Sequence, residues 1–240
     1  MGTTVSLTCP GLAPGPDGLG GVVAAFTTFD DTFSLYKDRS ELSAVARGDL
    51  KLTQASPAVK NVYARATGWR THTAGAFTAH RPDGVVDLNG IVKALAIQAA
   101  AEFLHSKKYE DWCLNVGGDV LTFGLQATGA PWTVGIIDPN DRSAILCAVD
   151  LRPDRPAIAT SGSAERGDHI WAGGDAANTF QQVTVMAETI EIADVLATAI
   201  VSGGQNTLDV VTAHFEIDVL TVDRLGALSA TPGFLASLAV

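Results

Sequence analysis

Apolar residues recur at three- and four-residue spacing in several stretches of the chain, and elsewhere they cluster in short β-branched runs between turn-forming residues. Val22, Ala25, Phe26, Phe29 and Phe33 predict a helix within residues 22–36 that runs into a loop. Residues 56–74 predict a second helix, with Ser56 as cap, Pro57 in the first turn, and a stripe of Val59, Val62, Tyr63 and Ala66. A third should start near Asn89 and continue through an alanine-rich interior, with His105, Lys107 and Lys108 suiting its C-terminal end. A last long helix is expected over 191–201. Gly203-Gly204 then interrupts it before a short further helix.

Between the third and last helices the period changes. Residues 112–116, 120–123, 132–137, 144–151, 157–160 and 182–187 are short and β-branched-rich, separated by Gly, Asp, Pro or Asn, as in an antiparallel meander. The opening residues before Gly11 and residues 217–222 also read as strands. Helices grouped ahead of a run of strands predict an α+β fold of mostly antiparallel sheets with packed helices. No linker divides the chain, so residues 1–240 are expected to form one domain.

Charge narrows the range of functions. The chain has 16 Lys+Arg against 26 Asp+Glu, a net charge of -10, which excludes a nucleic-acid binder, because phosphate neutralisation needs clustered cations. From Gly167 to Asp223 there is no Lys or Arg, yet there are nine carboxylates, Glu191, Asp194 and Asp218 among them. That stretch is either a solvated acidic face or a cation site. Cys9, Cys113 and Cys147 are far apart in apolar runs and read as buried thiols. There is neither an 18-residue apolar run nor a basic, apolar leader, so no membrane partner and a cytoplasmic location are expected.

Several motifs could carry chemistry. Asp87-Leu-Asn-Gly-Ile-Val-Lys93 places Asn89 at a candidate N-cap, Gly90 in the first turn and Lys93 one turn on; this is an anion site at a helix N-terminus or an ordinary cap with an exposed lysine. Asn115-Val-Gly-Gly-Asp119 is a hairpin turn or a place where a flat ligand approaches the backbone. Asp194 and Thr198, four apart, share one helix face as a hard-oxygen pair suited to Mg²⁺, or as part of a water-facing stripe with Glu191 and Ser202. His169, beside Asp168, is structural or a proton acceptor. Ser161 and Ser163 lie outside the G-x-S-x-G pattern of a serine hydrolase.

These pieces, in this order, resemble the ApbE family of Mg²⁺-dependent FAD:protein FMN transferases. The likeness runs through Met1-Gly-Thr, Phe33-Ser-Leu-Tyr-Lys-Asp-Arg-Ser-Glu-Leu-Ser43, Ala74-Gly-Ala-Phe77, Asp87 to Lys93, Asn115 to Asp119, Ala159-Thr-Ser-Gly-Ser-Ala-Glu-Arg166, His169-Ile170 and Ala193-Asp-Val-Leu-Ala-Thr-Ala199. It implies a duplicated T-fold-like architecture of two intertwined lobes. Met1, Tyr36, Ala76, Phe77, Thr78, Asp87, Lys93, Gly117, Gly118 and Ile170 would bind FAD. Gly90, Asp194 and Thr198 would hold Mg²⁺.

The implied reaction passes FMN from FAD to a Ser/Thr hydroxyl of an acceptor flavoprotein and releases AMP, with His169 and Asp194 as catalytic candidates. A Mg²⁺-dependent FAD diphosphatase and a non-catalytic FAD-binding protein are the alternatives, and a homodimer is the default assembly. The chain departs from the family pattern at Thr78 and Ala94, and in His169-Ile-Trp-Ala-Gly-Gly-Asp-Ala, which lacks an Asp-Pro turn.

Overall fold

A computed structural model describes residues 3–11, 16–162 and 180–239. The β-branched runs form β1 (Val5–Thr8), β2 (Trp112–Val116), β3 (Asp119–Phe123), β4 (Thr133–Ile137), β5 (Ile145–Asp150), β6 (Ala157–Gly162), β7 (Phe180–Ala187), β8 (Asp218–Asp223) and β9 (Leu228–Ala230). Seven of these make one sheet in the order β1-β2-β3-β6-β7-β8-β9, and every pairing is antiparallel. The expected meander is broken once, because β4 and β5 pair only with each other as a separate hairpin and β3 passes directly to β6.

The periodic stretches form α1 (Pro16–Phe33), α3 (Pro57–His72), α4 (Asn89–Ser106) and α5 (Ile190–His214), and two short helices that the sequence pattern did not predict are α2 (Glu41–Arg47) and α6 (Pro232–Ala236). Ser56 caps α3 as expected, its side chain accepting from Val59 N. The start of α4 differs by one residue. Leu88 holds the N-cap position without a side-chain cap, and the carboxylate of Asp87 accepts from Asn89 N at 2.9 Å. An aspartate at that point adds a negative charge to the positive end of the helix, which asparagine cannot.

Alternation along the strands sorts side chains into two cores. Ala157, Ala159, Val183, Val185 and Ala187 face α4 and α5, together with Leu196, Ala197 and Ile200. Ile158, Met186, Val120 and Leu220 face the other way, against Ile136 and Val149 of the hairpin and Phe234 of α6. With both faces covered, β6 and β7 lose the polar alternation of an exposed sheet. A third core joins α4 to α1, α2 and α3 through Phe33, Leu42, Val59, Val62, Ile91 and Val195.

The last long helix doubles back on itself. Gly204 lies inside α5 with φ 65 and ψ -153. Trp69 donates to Glu191, in the first turn of α5, at 2.7 Å, and its ring lies 5.6 Å from that of Phe215, just past the last turn. A straight 25-residue helix would hold its ends about 37 Å apart. One tryptophan can touch both only if the chain reverses at Gly204, in a region of backbone space essentially restricted to glycine. The sequence places a stop at Gly203-Gly204 correctly, but the reversal is a tertiary property.

Cys9, Cys113 and Cys147 are free thiols as expected, but each is part-buried and not buried, because they lie on or beside strands that are only partly covered. Burial pushes the Cys113 thiol up to about 11.

Gly204→Ala should destabilise the fold by about 1–3 kcal/mol, the cost of holding a side chain in that backbone region. Gly68→Ala, within α3 where its Cβ would meet no atom within 4 Å and φ is not positive, provides a milder comparison. Urea midpoints of the two variants measure the difference, and equal midpoints would refute the reversal as the constraint.

Candidate functional site

Five segments far apart in sequence converge where the N-terminus of α4 meets the end of β3 and the first half of α5. Asp194 supplies the centre. It is 0% exposed, on a helix whose neighbouring positions Ala193, Val195, Leu196 and Ala197 are apolar and buried. This polar stripe therefore faces the interior and not water. Thr198, one turn on, shares a hydrogen bond of 3.0 Å with Ser161 of β6.

Lys93 reaches this point from α4. Its ammonium forms an ion pair with Asp119 and lies 3.7 Å from Oδ1 of Asp194. The lysine side chain is 18% exposed and both carboxylates 1%, so it is not the exposed lysine of a plain cap. Burying a carboxylate without a partner is expensive, and one ammonium here serves two.

Asp119 is set by the turn before it. Val116 pairs with Asp119 across Gly117-Gly118, whose φ values of 61 and 95 match a two-residue type I′ turn. Gly117 N donates to Thr4 O, and a Cβ on Gly117 would run into the Thr3 hydroxyl. The glycines therefore make a hairpin packed against β1. Asp119 Oδ1 then accepts from Thr160 N at 3.3 Å.

The wall beside the α4 N-terminus is built from the other anticipated segment. Thr73 Oγ1 accepts from Phe77 N at 3.0 Å, and a Cβ on Gly90 would lie 2.9 Å from the Phe77 ring. Ala76 approaches α5 closely, since a Cβ on Gly203 would come 2.8 Å from its own. Asp87 N donates to Ala79 O at 2.8 Å, tying the two segments together, and Thr78 Oγ1 accepts from His80 N. Tyr36 stands 77% exposed in the turn after α1. Met1, Asp168, His169 and Ile170 lie outside the described residues.

Three contributions escaped the sequence reading. Asp119 could be assigned only to a turn, and Ser161 only to a failed hydrolase motif. Glu191 is the third. It is buried, pairs with Arg65 of α3 and accepts from Trp69, which pins the first turn of α5 three residues before Asp194. No local spacing carries these partners, since each comes from a distant segment.

The donors at the cluster are carboxylate and hydroxyl oxygens, the chemistry that a small hard cation such as Mg²⁺ selects. Among the described residues no three His, Cys, Asp or Glu side chains gather to hold a metal ion, and the donors at this cluster are oxygens rather than the His and Cys ligands that zinc favours. The arrangement fits an ion that keeps waters or ligand oxygens of its own.

Residues 78–221 match the ApbE family profile. The chain belongs to the ApbE family. It is similar to the FAD:protein FMN transferase of Vibrio cholerae, 29% identical over 153 residues, which are 59% of this chain and 45% of that one. The enzyme of the same name from Salmonella typhimurium is 31% identical over 143 residues, 54% of this chain and 40% of its own. The chain thus spans less than half the length of the curated relatives it matches.

Among solved structures, the flavin transferase ApbE of Vibrio cholerae superposes with a TM-score of 0.76 at 22% identity, covering 99% of this chain and 96% of that one. The ApbE protein of Thermotoga maritima gives 0.82 at 18% identity, covering 100% and 97%. At such identities the likeness is one of fold, and it bears out the α+β architecture with antiparallel sheets.

The matched segment of this ApbE member begins at Thr78 and includes Lys93, Asp119, Ser161, Asp194 and Thr198. Arg65 and Trp69, which hold Glu191, lie before it. Glu191→Ala should destabilise the fold by about 2–4 kcal/mol, toward the lower part of the range for breaking buried pairs because Arg65 is half exposed. Chemical denaturation measures it, and a change no larger than that for an exposed surface carboxylate would refute the clamp.

Proposed function

We propose that this chain is a Mg²⁺-dependent FAD:protein FMN transferase, built as one domain of two intertwined, duplicated T-fold-like lobes over residues 1–240. The observation that carries the reading is the gathering of Lys93 and Thr198 at the buried carboxylates of Asp119 and Asp194 inside the family-matched segment. A cluster with two carboxylates and an ammonium beside a helix N-terminus suits a ligand that arrives as an anion with a metal ion.

In this reading Asp194, Thr198 and the Gly90 carbonyl hold Mg²⁺. The ion would supply Lewis-acid stabilisation of charge on the diphosphate oxygens. The N-terminus of α4 and Lys93 face the diphosphate with positive charge. Ala76, Phe77, Thr78, Asp87, Tyr36, Gly117 and Gly118, with Met1 and Ile170, form the surroundings of the flavin and adenine.

The acceptor is a flavoprotein presenting a threonine or serine hydroxyl. Its oxygen attacks the phosphorus on the FMN side of FAD, the bond from that phosphorus to the bridging oxygen breaks, and AMP leaves. The hydroxyl proton passes to a base, for which His169 is the candidate and Asp168 and Asp194 its competitors. Such a reaction needs little covalent chemistry from the protein. Positioning and electrostatic stabilisation carry most of the acceleration.

Incubation with FAD, Mg²⁺ and an acceptor flavoprotein should leave flavin fluorescence on the acceptor after denaturing electrophoresis, with an equivalent of AMP released. Asp194→Asn should lower that rate by roughly a hundredfold or more, a loss typical of removing one stabilising group. Labelling undiminished by a chelator or by Asp194→Asn would refute the reading. FMN and AMP formed equally fast without acceptor would mark a diphosphatase instead, and FAD retained with no AMP would mark a binding protein.

A further inference from the structure

Lys93 has two carboxylates within ion-pair range but does not treat them alike. It pairs closely with Asp119 and stands 3.7 Å from Asp194, near enough for Coulomb attraction and too far for an N–H···O hydrogen bond. The root of the side chain is fixed, because α4 is held by buried Ile91, Val92, Ala94 and Leu95 on either side of it. Only the flexible stem can redistribute the charge between the two seats.

We propose that Lys93 is a tethered cation that competes with the divalent ion for Asp194, and that Asp119 is the positioning residue that draws the ammonium away so that the ion can enter. The proposal rests on the metal assignment made above for Asp194 and Thr198. The competition is electrostatic. In the structure the ammonium stands between the two buried carboxylates. A divalent ion on Asp194 and Thr198 would lie within a few ångströms of that ammonium, and like charges at such range in a poorly screened interior repel strongly.

Lys93 must then give up its attraction to Asp194 and settle on Asp119. That seat is held ready by Thr160 N–H and by the tight Gly117-Gly118 turn, neither of which involves Asp194. An incoming diphosphate offers the displaced ammonium an anion, so metal and dinucleotide should bind cooperatively. Metal alone should bind weakly.

The test is Mg²⁺ titration of FAD-free protein by calorimetry and by shift of the thermal midpoint, which records binding without turnover. Lys93→Met should tighten Mg²⁺ binding by roughly fivefold to a hundredfold, the usual span of a coupling between sites, whereas Lys93→Arg, which keeps the charge, should not. Asp119→Asn should weaken Mg²⁺ binding, because the ammonium then rests on Asp194, and adding Lys93→Met to it should restore tight binding. Unchanged or weaker binding in Lys93→Met, or unchanged binding in Asp119→Asn, would overturn the proposal. Should Lys93→Met fail to fold, the near-isosteric Asp119→Asn decides alone.

Asp194→Asn separates the two levels of argument. If it abolishes the Mg²⁺ response while the Lys93 and Asp119 variants leave affinity untouched, the metal site stands and the competition falls. If Mg²⁺ still binds Asp194→Asn as it binds the native chain, the site assignment falls, and the competition with it.

Discussion

A carboxylate buried in the middle of an apolar helix is the constraint on which this structure depends. Asp194 has no access to water, and its charge is tolerable only if the surroundings supply compensation. The compensation comes from elements that must each be in register. The α4 helix must start at Asn89 so that Lys93 points inward, the β2–β3 hairpin must turn in two residues so that Asp119 opposes it, and Thr160 of β6 must orient Asp119. A one-residue slip in the hairpin would send Asp119 to the other face of the sheet.

Much of the scaffold was legible in the pattern of residues. The strand over 112–116 was readable to the residue, and so was the cap at Ser56, because strong alternation and capping chemistry are local signals. Two of the unread elements owe their stability to distant partners. Strand β9 is three residues long and exists by pairing with β8, and α6 is five residues anchored by Phe234 in the core. Strand partners were equally hidden. Nothing in 133–150 announces that this hairpin leaves the sheet and hands β3 to β6, because periodicity shows which face of a strand is apolar but not what pairs with its edge.

The site divides the same way. Asp194 with Thr198, Asp87 with Gly90, and the paired glycines each show a local spacing, so each was visible as a motif with two readings. The structure adds burial and partners to each. The 194/198 stripe turns inward, the Asp87 carboxylate accepts from Asn89 N at the start of α4, and Gly117-Gly118 form a hairpin against Thr3. What no motif could express is that the lysine of one and the aspartates of two others form a single ionic group, since their Coulomb coupling exists only after α4, β3 and α5 have packed.

The unequal distribution of charge gains a physical meaning from this packing. The stretch from Gly167 to Asp223 has no cation of its own, yet its buried carboxylates are matched from outside it. Glu191 is met by Arg65, Asp194 by Lys93, and Asp218 by Arg152 at 2.8 Å with Arg155 near it. Other carboxylates in the stretch do different work at the surface. Asp223 accepts from Leu225 N and Ala227 N to close a turn, and Asp209 from Gln205. The acidic half therefore cannot bury its core-facing carboxylates until earlier parts of the chain have docked on it. Of the three matches, Arg65 and the Arg152–Arg155 pair each serve a carboxylate with further hydrogen bonds around it, and they act as clasps. Of these cations Lys93 alone stands between two buried acids, since Asp154 and Glu216, the other partners of Arg152 and Arg155, are exposed, and a second cation could enter there without leaving a buried carboxylate uncompensated.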